Sequence, residues 1–283
     1  MRIAAHYDQQ RPRSFQIAKA FVDGVQACGG KGQLIQGFDL PSTSDTADCV
    51  VAYGWRYPEL FEHYQALGKH FIYADLGWWD RKPAGAVLEG FHKIVADARE
   101  PTAYFRRVPH SPDRFNRFGL KIAPWRALGG HILLAGMSAK SAKTRGYGPY
   151  EWEYEAIRSI REITDREIVY RPKPSWDEAK PIPGTTFSPP DQPLINVLHG
   201  AWAVVTLHSN VAIDGYLAGI PALCLEGVGS ALSMPGWKAL DEPPLPEGRE
   251  ALMADIAYLQ WALPEIRSGE CWRHLRKETP LCS

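Results

Sequence analysis

The segment Ala203–Glu226 most constrains what this 283-residue chain can fold into, because its 24 residues contain a complete βαβ unit. An apolar run is followed by the polar residues His208, Ser209 and Asn210, by a short helical pattern that ends at Gly219-Ile220-Pro221, and by a second apolar run. Glycine and proline end helices, and two strands joined through a helix pair in parallel. A helix start presents unpaired N–H groups and the positive end of its dipole, which attract anions such as phosphate. The segment therefore predicts a parallel sheet with an anion-binding edge.

Strand and helix patterns alternate on both sides of an irregular, Arg- and Pro-rich segment at 97–130. Apolar runs separated by helical patterns are typical of βαβ units and a mostly parallel sheet. The fold class that we predict is α/β, with two Rossmann-like parallel-sheet domains that face each other across a cleft. The predicted domains are 1–125 and 126–262, followed by 263–283 as a helix and tail that pack back on the first domain. The predicted strands include Arg2–Tyr7, Leu34–Ile35, Cys49–Tyr53, His70–Ala74, His131–Ala135 and Glu167–Tyr170, and the predicted helices include Ser14–Cys28, Pro58–Leu67, Tyr150–Ile163, Glu250–Ala262 and Pro264–Leu275.

Composition excludes several classes of protein. The formal net charge is zero and 45% of the residues are apolar, as in a globular chain with no overall attraction to nucleic acid or membrane. No apolar run reaches the ~18–20 residues that a membrane span needs, and the N-terminus lacks the apolar core of a signal peptide. The five cysteines show no C-x-x-C spacing, which favours reduced thiols in a cytoplasmic protein. No His, Asp and Glu cluster at ligand spacing predicts a metal.

Two further loops of the second half carry groups that suit a phosphate. Arg171 and Lys173 follow a predicted strand and project from a rigid proline turn, so either can pair with phosphate oxygens. Gly136 and Ser138 lie in a small-residue turn after another predicted strand, although the spacing of a P-loop is absent. A solvated basic turn and an ordinary loop explain the same residues without a ligand.

Polar and aromatic residues follow three predicted strands of the first half. His6 lies at the end of the first strand, Arg56 follows a later one, and Asp75 and Trp78 follow the next. Residues at the carboxyl ends of parallel strands share one edge of the sheet, so we expect these side chains to line a ligand site. Asp75, and after it His6, are the candidates for a general base. Capping of the following helices is the alternative explanation.

Positive charge is concentrated in one stretch of this neutral chain. Ten Lys or Arg residues lie between Arg99 and Arg145, against only Glu100 and Asp113. Within 99–126 the cations alternate with aromatic residues, and a nucleic-acid groove needs both cations for phosphates and rings for stacking. An ordinary solvated surface is the alternative. The residues predicted to contact such a partner are Arg56, Trp78, Arg106, Arg107, Arg114 and Arg117.

The run D-G-Y-L-A-G-I-P at 214–221 resembles the acidic residue, small residues and G-x-P that close the nucleotide-sugar site of GT-B glycosyltransferases. The resemblance implies sugar transfer from a nucleotide sugar, a UDP-sugar first, with no further cofactor. It implies that Asp214 binds the ribose and that the second domain holds the donor, with Ser209 and Asn210 near the diphosphate. The chain departs from the family in having Asp for the usual Glu. It also has Thr206 where retaining enzymes carry a second Glu, which favours an inverting transfer that uses a base.

A longer run, H-S-N-V-A-x-D-x-x-x-A-G-x-P, together with S-G-E-x-W-x-H-L at 268–275, is similar to phage-encoded enzymes that hypermodify DNA bases. That resemblance implies a hydroxymethyl-pyrimidine in double-stranded DNA as the acceptor, flipped out of the stack, and the host cytoplasm as the location. Two alternatives stay open: transfer to a polysaccharide or small molecule, and a nucleotide- or DNA-binding module without catalysis. The sugar, the nucleotide and the oligomeric state are open at this level.

Overall fold

The computed structural model describes residues 1–40, 47–81, 90–101, 109–126, 128–279 and 281. The chain divides into two units by its internal contacts. Unit 1 comprises Met1–Phe118 and Met253–Ser283, and unit 2 comprises Gly119–Leu252. Both boundaries fall earlier than the domain boundaries at 125/126 and 262/263 that the sequence suggests. Residues 253–262 therefore belong by their contacts to unit 1.

Unit 1 is built on a mixed sheet. Its described strands are β1 (Arg2–Tyr7), β2 (Lys31–Gln36), β3 (Cys49–Tyr53), β4 (His70–Leu76), β5 (Phe91–Ala96) and β11 (Gln260–Ala262). Its described helices are α1 (Pro12–Ala27), α2 (Pro58–Ala66), α3 (Asp113–Asn116), α9 (Leu263–Arg267) and α10 (Glu270–Glu278), and α8 (Arg249–Ala257) crosses the unit boundary. The strand order is β11-β5-β4-β3-β1-β2. Strands β1 to β4 pair in parallel, whereas β5 and β11 are antiparallel additions at one side.

Helix α1 and the two last helices cover the core of unit 1. Ile17, Phe21 and Val25 recur every four residues on α1, so they share one face, and all three are buried. Trp272 and Leu275 of α10 belong to the same buried cluster. The predicted helix at 14–28 is confirmed within two residues at its start and one at its end.

Unit 2 contains a second, parallel sheet. Its described strands are β6 (His131–Ala135), β7 (Glu167–Arg171), β8 (Thr186–Phe187), β9 (Ala201–Thr206) and β10 (Ala222–Cys224). Its helices in the described ranges are α4 (Ala139–Lys143), α5 (Glu151–Arg161), α6 (Leu194–Leu198) and α7 (Val211–Leu217), with 3-10 turns at Val228–Leu232 and Trp237–Leu240. The strand order is β10-β9-β6-β7-β8, and every pairing is parallel.

The chain enters unit 2 through a segment that packs on the end of α7. Gly219 has a φ of 76°, and a Cβ there would lie 2.0 Å from the carbonyl oxygen of Pro124, so glycine is required. Arg249 donates from Nη1 to the Ala123 carbonyl at 2.7 Å and stacks over the Trp125 ring, 3.8 Å from its centroid. The glycine of the G-x-P run is thus explained by close packing of the backbone.

A buried arginine joins the segment before the unit boundary to the returning chain of unit 1. Arg114 is only 3% exposed. Its Nη1 and Nη2 donate to the two carboxylate oxygens of Glu265 at 2.7 Å each, and Nε and Nη2 donate to the carbonyls of Ala257 and Gln260 at 2.8 Å. The guanidinium also lies 3.9 Å from the centroid of the Trp261 ring. Arg114 is therefore an internal cation of unit 1 and not a surface group.

Cysteine state and membrane topology follow directly from the described chain. Cys28, Cys49, Cys224 and Cys271 are free thiols. Within the described ranges, every helix is too short or too polar to cross a bilayer.

Arg114→Ala is expected to lower the free energy of unfolding by about 3–5 kcal/mol, because it leaves the mostly buried Glu265 carboxylate without its main partner. Arg117 is a matched control: its Nη1 lies 3.7 Å from the same carboxylate, but its side chain is 65% exposed. Arg117→Ala should therefore cost only about 0–1 kcal/mol. Urea unfolding followed by tryptophan fluorescence measures both variants. Equal losses would contradict the internal role of Arg114.

Candidate functional site

The carboxyl-terminal edge of the unit 2 sheet contains the candidate site. From β6 the chain proceeds to β7 on one side, whereas β9 lies on the other side of β6. Such a reversal leaves a crevice between the loops that follow the two central strands, and ligands of open α/β sheets bind there. The loops on either side of this crevice are 136–138 after β6 and 207–210 after β9.

The loop after β6 is held close to the sheet. A Cβ on Gly136 would lie 2.7 Å from Cε2 of Tyr170 and 2.8 Å from Oε1 of Glu153, so glycine alone fits. Ser138 has an extended backbone, and its Oγ accepts a hydrogen bond from the Ser141 amide at 3.2 Å. Ser138 is therefore the N-cap of α4 and remains half-buried at the crevice.

The loop after β9 is built around a buried threonine. The Oγ1 of Thr206 donates to the last carbonyl of β6 at 2.9 Å and accepts from the Ser209 amide at 3.0 Å. The Ser209 hydroxyl in turn accepts from the Val211 amide at 3.3 Å, and Asn210 begins α7. Ser209, Asn210 and Asp214 are all half-buried. Thr206 thus joins the two central strands at the position where retaining GT-B enzymes carry a carboxylate.

A chain of polar contacts bridges the two loops. Ser141 Oγ lies 2.9 Å from His208 Nε2, and Arg145 Nη1 donates to the same hydroxyl at 3.2 Å. Arg145 Nε also contacts Glu226 Oε2, after β10, at 3.0 Å. Arg145 and Ser141 were not among the predicted site residues. Their only signal in the sequence is the four-residue spacing, which puts two side chains on one side of a helical turn.

A buried carboxyl group supports the loop after β6 from behind. Glu153 is 1% exposed, and its Oε1 accepts from the Met137 amide at 2.7 Å. Its Oε2 and the Tyr170 hydroxyl are buried and have no hydrogen-bond partner among the described residues. Burial raises the pKa of Glu153, although the Met137 amide opposes this. The loop is therefore held by an acid whose neutral form is favoured.

The two cations at the end of β7 differ in their surroundings. Arg171 is buried, and its guanidinium donates to the Ser188 hydroxyl and to carbonyl oxygens within 189–192 at distances between 2.6 and 3.2 Å. This arginine organises the loop after β8. Lys173 lies in the exposed turn beyond it.

The two candidate bases lie on different strands of unit 1. His6 is 2% exposed, and its Nδ1 lies 2.9 Å from the Gly37 carbonyl. Asp75 is half-buried, and its carboxylate accepts from the Tyr73 hydroxyl and, at 2.8 Å, from the Leu76 amide. Strand β3 separates their two strands, so the backbones are about 10 Å apart. The structure does not bring the two groups into one pair.

The predicted acceptor contacts divide into exposed and buried residues. Arg56 and Arg117 are exposed. Trp78 is buried, and its backbone amide donates to the Gln260 side chain at 2.8 Å. Arg114 is internal, as described above. Arg106 and Arg107 lie outside the described residues.

The arrangement in unit 2 offers hydroxyl, amide, imidazole and guanidinium groups along one crevice. These groups hydrogen-bond to phosphate and sugar oxygens. Asp214, one turn into α7, adds a carboxylate that can accept from hydroxyl groups. The edge therefore has the chemistry of a site for an anionic, hydroxyl-rich ligand.

No protein-family model matches the chain, and no curated protein matches it by sequence. Two solved chains from Thermosulfurimonas dismutans KpsC are similar in structure. The beta Kdo 2,4 transferase is 10% identical, with a TM-score of 0.55 over 92% of this chain and 91% of that one. The beta Kdo 2,7 transferase is 15% identical, with a TM-score of 0.51 over 89% of each chain. At these identities the likeness shows the fold, and the predicted α/β, GT-B-like class with two Rossmann-like sheets is confirmed.

Glu153→Gln is expected to flatten the dependence of stability on pH. Because the pKa of Glu153 is raised by folding, the unfolded chain loses this proton first, near the ordinary value of 4.5. Wild-type stability should then fall as pH rises from that value to the raised pKa of the folded state. In the variant this loss should be absent, while Met137 keeps an acceptor. Thermal unfolding across pH 4 to 8 measures the difference in slope, with the exposed Glu155→Gln as control. Parallel curves for Glu153→Gln and wild type would contradict the assignment.

Proposed function

We propose that this protein is a glycosyltransferase that transfers a sugar from a nucleotide-sugar donor to a hydroxyl acceptor, with the donor at the carboxyl-terminal edge of unit 2. The observation that carries the proposal is the 2.9 Å contact between Ser141 and His208, which joins the two loops at the reversal of strand order. A polar crevice at such a reversal is where α/β proteins bind nucleotides. The fold similarity to two Kdo transferases supports sugar transfer as the reaction.

The diphosphate of the donor is assigned to the two loops of the crevice. Ser138 and Ser209 supply hydroxyl groups, and Asn210 supplies an amide at the start of α7. Arg145 supplies the positive charge, because its guanidinium already lies on Ser141 and has its other contact with Glu226, whose side chain is half exposed. Guanidinium groups bind phosphate through paired N–H donors, so a diphosphate can replace the contact with Glu226.

The nucleoside is assigned to the start of α7 and the end of β7. Asp214 accepts from the ribose hydroxyls in this assignment, as the resemblance at 214–221 implies. Lys173 is exposed and can pair with a phosphate, whereas Arg171 acts by holding the loop at 188–192. A UDP-sugar is the first candidate donor.

For the acceptor we propose a hydroxyl group of a saccharide. Both solved chains of similar fold are named as transferases of Kdo, a sugar. The narrower hypothesis of a hydroxymethyl-pyrimidine in DNA is based on the charge of 99–126, and that surface is weakened because Arg114 binds Glu265 inside unit 1.

Nucleotide binding tests the proposal together with its key residue. Uridine, thymidine, cytidine and guanosine diphosphates, their sugar conjugates and nucleotide-activated Kdo are added to the full chain, and one nucleotide class is expected to raise Tm by mass action. Arg145→Ala should weaken that binding about 10- to 100-fold, since it removes a charge-assisted contact of about 1.5–3 kcal/mol. The exposed neighbour Lys143→Ala is the matched control. No thermal shift with any nucleotide compound would refute the proposed function.

Turnover tests the base and the acceptor class. Asp75→Asn is expected to lower kcat by about 10²–10⁴-fold, because a general base contributes a factor of this size. Nucleotide affinity should be unchanged, since Asp75 lies in unit 1 and the donor residues lie in unit 2. His6→Gln is the comparison, and a larger loss there would give the role to His6. Saccharide and hydroxymethylated DNA acceptors are assayed in parallel, and transfer to DNA alone would overturn the saccharide assignment. Binding of the nucleotide sugar without transfer to any acceptor would identify a non-catalytic module.

A further inference from the structure

Unit 1 contains a cluster of two histidines and two carboxylates that the proposed sugar transfer does not use. His110 precedes α3, Asp255 lies on α8, and His274 and Glu278 lie on α10. One potential ligand atom from each of His110, His274 and Glu278 lies within 4.8 Å of the other two. The three side chains are each 14% exposed, so an ion can reach them from solvent.

The spacing of these side chains fits a small metal ion. His274 and Glu278 are four residues apart on α10 and therefore share one face of the helix. His274 Nδ1 lies 3.8 Å from Glu278 Oε1, and His110 Nε2 lies 2.6 Å from Glu278 Oε2. Ligands of a tetrahedral zinc ion, each about 2.0–2.1 Å from the metal, are separated by about 3.3 Å. Small rotations of the side chains bring the three atoms to that separation.

A second carboxylate orients the first histidine. Asp255 Oδ1 lies 2.9 Å from His110 Nδ1, which leaves Nε2 directed at Glu278. The His110 ring also stacks on Tyr258, with centroids 4.4 Å apart and an interplanar angle of 21°. Histidines that bind metals usually donate their other N–H to a carboxylate or carbonyl, which fixes the orientation of the ring. Asp255 and Tyr258 together provide this support for His110.

We propose that His110 Nε2, His274 Nδ1 and the Glu278 carboxylate bind a zinc ion in unit 1. Two imidazoles and one carboxylate suit Zn²⁺, whereas Mg²⁺ and Ca²⁺ prefer oxygen ligands throughout. The described residues supply three ligands, and water completes the fourth position. The ion joins the segment before α3 to α10, so its role is to hold the last helix of unit 1 in place. This inference is independent of the proposed transferase activity.

Zinc binding to the full chain, freed of metal with a chelator and of any affinity tag, tests the proposal. Isothermal titration is expected to show one Zn²⁺ per chain, and Zn²⁺ should raise Tm. Asp255→Asn should weaken binding about 10- to 100-fold, because it removes the support of His110 and leaves the ligands in place. The double variant His274→Gln, Glu278→Gln should weaken it more. The matched controls are Glu270→Gln, exposed on the same helix, and His70→Gln, which removes a histidine paired with a carboxylate, Asp97, outside the cluster.

Cobalt provides a readout that does not depend on the folding of variants. Wild-type protein loaded with Co²⁺ should show the visible absorption of a tetrahedral site, and Zn²⁺ should abolish it by displacement. Absence of stoichiometric zinc binding in the wild type would overturn the proposal. Binding that persists unchanged in the double variant would overturn it as well, and His110 would then serve only as a hydrogen-bonded bridge between two carboxylates.

Discussion

Parallel pairing of the central strands is the constraint on which the rest of this structure depends. Parallel neighbours need a crossover, so each strand is followed by a loop at one edge and each return passes through a helix or long segment. In unit 2 all five described strands obey this rule, and their carboxyl ends bring Ser138, His208, Arg171 and Glu226 to one edge. The candidate site is a consequence of that geometry. No local motif could assemble it, because its residues lie on four separate loops.

Much of the fold can be predicted from local patterns. The βαβ unit at 203–226 has an apolar strand, a polar helix start and a glycine-proline stop, and the structure has β9, α7 and β10 in that order. The pattern fails where distant contacts decide the conformation. Residues 250–262 have a helical pattern, yet α8 ends at Ala257 and β11 follows, because residues 260–262 pair with β5 across a separation that no local window contains.

The candidate site was predictable in part, and the reason lies in where each polar group finds its partner. Ser209 and Asn210 are visible in the sequence because a helix start has a local signature. Arg114 and Arg171 also look like available cations, but their partners are remote or lie in an irregular loop. Arg114 binds Glu265, which is 151 residues away, and the contact between His110 and Glu278 spans 168 residues. Charge alone therefore overstated the acceptor surface and gave no indication of the cluster around His110.

Unit 1 is discontinuous, and this has a consequence for the order in which the protein is made. Its sheet and helical cover are completed only by β11, α9 and α10, which follow the whole of unit 2 along the chain. During synthesis, unit 2 is a single continuous stretch and can fold as it emerges from the ribosome. Over that interval the exposed side of β5 and the apolar face of α1 wait for partners that have not yet been translated. The nascent chain thus carries an open sheet edge for the time needed to add more than a hundred residues, which is the stage at which chaperones are most needed.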